Sequence, residues 1–150
     1  MIDILDVRQE NEFDCGWASV ESVCQYFKVY IHRNKMLKLL GTNGINGTDP
    51  RIIEAFLRGE GFNVLSGNMT IEDLKSFTKN NRPVIAMVTF NDIGHYIVIK
   101  GVKRKRVYYQ DPTSGPKSMK IEDFMTSFVD FDRYGVTYKN FAMVVWKWKS

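Results

Sequence analysis

The chain changes its hydrophobic period near its midpoint, and this constrains the fold more than any other feature. Before residue 80 the apolar residues recur at helical spacing. Trp17, Val20, Cys24 and Phe27 form one stripe, 32–40 reads as a short helix closed by Gly41, and Ile71 to Phe77 repeats the pattern. Asp49 stands as N-cap and Pro50 as first helical residue before RIIEAFLRGEG. Beyond residue 80 the runs RPVIAMVTF, GHYIVIKGV, RVYYQD and FAMVVWKW are rich in strand-favouring Val, Ile, Phe, Tyr and Trp, with one short helix over KIEDFMTSF. With no repeat or linker, the expectation is a single α+β domain over 1–150: an N-terminal helical lobe of about 1–80 packed on a sheet lobe of about 81–150.

Composition narrows the function classes. A chain of 150 residues that is 44% hydrophobic can build one real core. Its net charge of +4, from 21 basic and 17 acidic residues, is too small and dispersed to point to nucleic acid. The run Lys103–Arg106 reads as a solvated hairpin turn; an adaptor binding nucleic acid through it is the competing class, tested by a salt-dependent shift with bulk DNA or RNA. The segment GTNGING lacks the Lys and Ser or Thr of a phosphate loop and reads as a connection. No run approaches the roughly 18 apolar residues of a membrane span, and MIDILDVRQENEF has no secretory signal pattern, so the expectation is a cytoplasmic protein.

Nine residues of helix would part Cys15 from Cys24 by about 13 Å, roughly twice the Cα separation of a disulfide, so both are expected as free thiols. Cys24 lies on the apolar stripe. Cys15, Cys24, His32 and His95 match no zinc-binding spacing, and no metal or cofactor is expected.

Cys15 is different, because EFDCGW places it where a polar turn meets a helix, outside the core. A helix N-terminus favours the thiolate, which is the nucleophilic form. Asp14 is placed to cap that helix. Of the two histidines, His95 opens a strand that is otherwise apolar and is the better base, with His32 the remaining choice. Asp111 ends the next strand, and an antiparallel hairpin would return it beside His95 as the orienting carboxylate. Gln9, six residues before Cys15, is positioned to join the Cys15 N–H as an oxyanion donor.

Gln9, Cys15, Gly16 and Ala18, followed in order by RPVIAMV, GHYIVIKG and DPTSG, resemble the papain-like cysteine peptidases that remove double-glycine leaders in bacteriocin-exporting ABC transporters. The resemblance covers nearly the whole chain. It implies a helical lobe followed by an antiparallel β-sheet lobe with the active site between them, a Cys15–His95–Asp111 triad, and an oxyanion role for Gln9. It also implies a peptide substrate cut after a small pair such as Gly-Gly, with export or ABC-transporter machinery as a partner. The sequence ends at Ser150, and a stand-alone domain is expected. Trp17 and Tyr96 are candidate walls of the substrate cleft. VDFDRYGVTYKN reads as an extra loop that shapes specificity. A thiol acyltransferase using the same triad and a catalytically idle peptide-binding homologue are the alternative readings.

Overall fold

The computed structural model describes residues 1–8, 15–40, 49–131 and 137–147. Gln9, Asp14 and the GTNGING connection lie outside them. Three helices come first, α1 (Cys15–Tyr26), α2 (Arg33–Leu40) and α3 (Pro50–Gly59), followed by β1 (Asn63–Asn68) and α4 (Ile71–Lys79). Next come β2 (Val84–Phe90), β3 (Ile93–Lys103), β4 (Arg106–Asp111), β5 (Gly115–Lys120) and α5 (Ile121–Ser127). The chain then forms β6 (Val129–Phe131), β7 (Thr137–Lys139) and β8 (Phe141–Trp146). Six strands make one antiparallel sheet in the order β1-β8-β2-β3-β4-β5, while β6 and β7 pair as a separate ribbon.

Local chemistry sets the helix ends. The Asp49 carboxylate accepts from Arg51 N–H at 2.8 Å, as expected of an N-cap before Pro50. Thr70 and Asp73 form a reciprocal capping box at the start of α4. The sheet turns tightly at Asn91–Asp92 and at Arg104–Lys105, where all four residues have positive φ between 51° and 65°. Such turns match the right-handed twist of the strands they join. The basic run 103–106 is thus the β3–β4 hairpin turn.

The sheet is covered on both faces. Along β2, Ile85 and Met87 enter a first core with α1, α2 and α3, while Val84, Ala86 and Val88 enter a second core with Leu74 of α4 and Phe124 of α5. Strands buried on both faces read as continuous apolar runs, which is why β2, β3 and β8 stood out in the sequence.

Three expectations are corrected. The lobe boundary near Asn80 is crossed by β1, an edge strand from the first half that pairs with β8. The extra loop 129–140 contains the β6–β7 hairpin. Helix α1 is no surface helix with one stripe: Cys15 to Val20 and Ser22 to Cys24 are all buried, because α1 is enclosed by the N-terminal segment, the other helices and the sheet. Cys15 therefore sits at a helix start, as expected, yet it is only 7% exposed and joins the first core.

Candidate active site

His95 lies near the start of β3 and Asp111 at the end of β4, so the hairpin between them returns the carboxylate to the level of the ring. Their meeting depends on one extra residue. From the turn, pairing runs Lys103↔Arg106, Val102↔Val107 and Gly101↔Tyr108, then shifts to Ile99↔Tyr109 and Val98↔Gln110, leaving Lys100 as a bulge. Cross-strand partners share a face and neighbours along a strand alternate. Continued past the bulge, the register sets Asp111 opposite Ile97, on the His95 face; without the bulge it would stand opposite Val98, on the other face.

The result is a tight pair. His95 Nε2 lies 2.7 Å from Asp111 Oδ1, with side-chain exposures of 11% and 8%. That contact leaves Nδ1 as the ring nitrogen available to a nucleophile, and Cys15 is near enough to raise the ring's proton affinity. Burial pulls the imidazole down, but the hydrogen bonds to Asp111 and then Cys15, reinforced by their charges, push it up to about 9. For Asp111 burial pulls upward, yet the bond from His95 and the N–H of Thr113 hold its carboxyl below the ordinary value. At neutral pH the pair is an imidazolium facing a carboxylate.

Two contacts extend the pair in ways the sequence did not single out. Thr113 donates its backbone N–H to Asp111 Oδ1 at 2.8 Å, and its hydroxyl stands 3.4 Å from His95 Nε2. The signal was present in DPTSG, since an Asp commonly bonds the backbone two residues on. On the other flank, Asp130 of β6 lies against Gly94, where a Cβ would stand 2.8 Å from its Oδ2. A side chain there would force Asp130 to move.

Cys24 is a core thiol at 1% exposure, pushed up to about 12 chiefly by burial and then by the nearby Glu60 and Glu21 charges. His32 is exposed, and its Nδ1 accepts from Asn34 N–H at 3.2 Å at the start of α2, so it serves a local turn. Among the described residues, no three His, Cys, Asp or Glu side chains converge as a metal site.

Both residues expected as cleft walls are core residues in this structure. Trp17 and Tyr96 are each 4% exposed and belong to the first core. The Arg33 guanidinium covers the Trp17 ring at 4.6 Å, and strand alternation turns Tyr96 to the face opposite His95. No described helix is long and apolar enough to cross a membrane.

Residues 5–131 match the Peptidase C39 family. The sublancin-168-processing and transport ATP-binding protein SunT of Bacillus subtilis is 27% identical over 129 residues, covering 83% of this chain and 18% of that protein. The chain thus spans less than a fifth of that relative's length. An uncharacterized protein of Methanothermobacter marburgensis is 27% identical over 126 residues, 84% of each chain. Among solved structures, a double glycine motif protease from an AMS/PCAT transporter, crystallised with its leader peptide, superposes with a TM-score of 0.78 at 23% identity, covering 96% of this chain and 91% of that one. The peptidase domain of Streptococcus ComA gives 0.74 at 20% identity, covering 99% and 100%. These structures share the fold, an antiparallel sheet with helices packed against it. With the family match running over most of its length, the protein belongs to the Peptidase C39 family.

Proposed function

We propose that this protein is a cysteine peptidase in which Cys15 is the nucleophile, His95 the acid and base, Asp111 the residue that orients the ring, and Gln9 an oxyanion donor beside the Cys15 N–H. The observation that carries this reading is the buried His95–Asp111 pair, with Cys15 close enough to raise the ring's proton affinity. A protonated ring beside the sulfur is the partner a thiolate needs. The thiolate adds to the scissile carbonyl carbon and the π pair moves onto oxygen, where N–H groups without an intrahelical partner at the start of α1 can donate. The imidazolium then gives its proton to the leaving nitrogen as the C–N bond breaks, leaving an acyl thioester. Water attacks the thioester while the neutral ring takes its proton. The C–S bond breaks and the thiolate–imidazolium pair returns.

Family membership and likeness to leader-processing relatives support a leader-like peptide substrate, cut after a small pair such as Gly-Gly, presented by an export system. The test is mass spectrometry of a peptide with Gly-Gly before the cut, beside versions carrying Leu or Phe there. Cleavage after Gly-Gly is expected, with Cys15→Ala and His95→Ala both inactive. Faster turnover of the Leu or Phe peptide overturns the specificity. Transfer of the acyl group to an added amine in preference to water would mark a thiol acyltransferase instead.

A further inference from the structure

Residues 1–8 touch every element that carries a proposed catalytic group. Ile2 N–H donates to the carbonyl of Lys100, the bulged residue of β3, at 3.0 Å. Beside it the Met1 side chain lies on Gly101, where a Cβ would stand 2.9 Å from Met1 Cγ. The Ser22 hydroxyl of α1 donates to Leu5 O at 3.2 Å and shares its hydrogen with Ala18 O. Gln110, next to Asp111 on β4, donates from Nε2 to Asp6 Oδ1. Arg8 pairs with Asp6 at 2.7 Å and lies on Gly115, the first residue of β5, within the field of Asp111. The next residue in the chain is Gln9.

Gln110 is the informative member. It is 1% exposed in a strand whose buried neighbours are mostly apolar, and its Oε1 has no hydrogen-bond partner among the described residues. An apolar side chain would fill that place without leaving a buried oxygen unsatisfied, which is a cost rather than a gain in stability. What the amide supplies is a directed contact. Its acceptor is an anion, because the Arg8 guanidinium holds the Asp6 carboxyl below its ordinary value against the effect of burial. Asp6 is itself half exposed and adds little packing.

We propose that residues 1–8 form a positioning strap for the peptidase site, in which the Asp6–Gln110 hydrogen bond and the Ile2–Lys100 contact hold the β3–β4 hairpin in the bulged register against α1. This rests on the peptidase reading above. Asp6 and Gln110 are positioning residues: they act through the His95–Asp111 pair and touch no substrate.

The experiment is a donor–acceptor swap with two readouts, peptide turnover and the downfield NMR signal of the His95 ring N–H bonded to Asp111. Gln110→Glu sets two carboxylates against each other. It is expected to lower kcat by about 10- to 100-fold, the scale of misplacements up to roughly 1 Å, with KM held and the ring signal broadened. Asp6→Asn keeps an acceptor and is expected to stay near wild type. In the double variant, Asp6→Asn with Gln110→Glu, the amide on the strap donates to the carboxylate on β4, and both kcat and the signal are expected to return. Unchanged kcat and signal in Gln110→Glu overturn the strap, as does a double variant that regains melting temperature but neither kcat nor signal. If Gln110→Glu does not fold, Asp6→Ala carries the test, and an intact ring signal in it overturns the proposal. The signal needs no substrate, so a protein that cleaves no peptide yet shows the expected signal changes would remove the peptidase reading and leave the strap.

Discussion

His95 is held between opposing forces, burial against two anionic or polarisable partners, and the partners prevail. Replacing Asp111 by Asn removes the larger of the two supports, so the ring value is expected to fall. The alkaline limb of the kcat/KM profile should then move below the wild-type position near 9. A limb that stays in place would show that Cys15 alone supports the ring. The two thiols separate by the same logic. Iodoacetamide near neutral pH is expected to label Cys15, which adjoins the imidazolium, at least about 10-fold faster than Cys24, which is buried and pushed up to about 12. Preferential labelling of Cys24, read by peptide mapping, would contradict the nucleophile assignment. The meeting of His95 and Asp111 could be anticipated from the sequence because each is an unusual residue for its place. The contacts of Thr113 and Asp130 could not, because they depend on how a turn and a ribbon fold back on the site.

Among the elements, β3 carries the most consequence, since a single inserted residue decides whether base and carboxylate meet. Deleting Lys100 is expected to turn Asp111 to the opposite face and lower turnover by about 10³- to 10⁴-fold, the scale of losing a triad's orienting group, with far-UV circular dichroism retained. Retained turnover would show that the pair forms in either register. A bulge leaves no mark in composition, so the hairpin was readable and its register was not. The missed strands β1 and β5 have a related cause. As sheet edges they bury one side only, and NVLSGN and GPKSMK are correspondingly polar. Pro116 fits in β5 because nothing beyond the edge needs its missing N–H. Helix α3 was clear because its start signals, Asp49 and Pro50, are local in sequence, and α4 because its apolar spacing is.

For the whole molecule, the same pair couples folding to pH. A ring raised from 6.5 to about 9 stabilises the fold fully below pH 6.5, and that contribution is lost as pH rises through about 9. Its upper bound is about 3 kcal/mol. Asp111, held below its ordinary value, contributes above the unfolded carboxyl value and loses its share as pH falls through the lowered one. Relative to His95→Gln, the wild-type melting temperature is therefore expected to decline between pH 6.5 and 9. Parallel curves would mean the pair contributes nothing to folding. The division into a helical lobe and a sheet lobe was only partly readable, because β1 threads the first half into the sheet and helices cover both its faces. That two-sided covering leaves the search for the native state with a degeneracy. If β2 slid by one residue against β3 or β8, Ile85 and Met87 would exchange cores with Val84, Ala86 and Val88, apolar for apolar. Hydrophobicity, which penalises such a slip in a half-wet sheet, barely distinguishes the two alignments here. The discrimination falls to the tight turn at Asn91–Asp92 and to the fit of side-chain volumes. A register error in β2 therefore costs little apolar burial here, and the turn at Asn91–Asp92 is the local feature that sets the alignment.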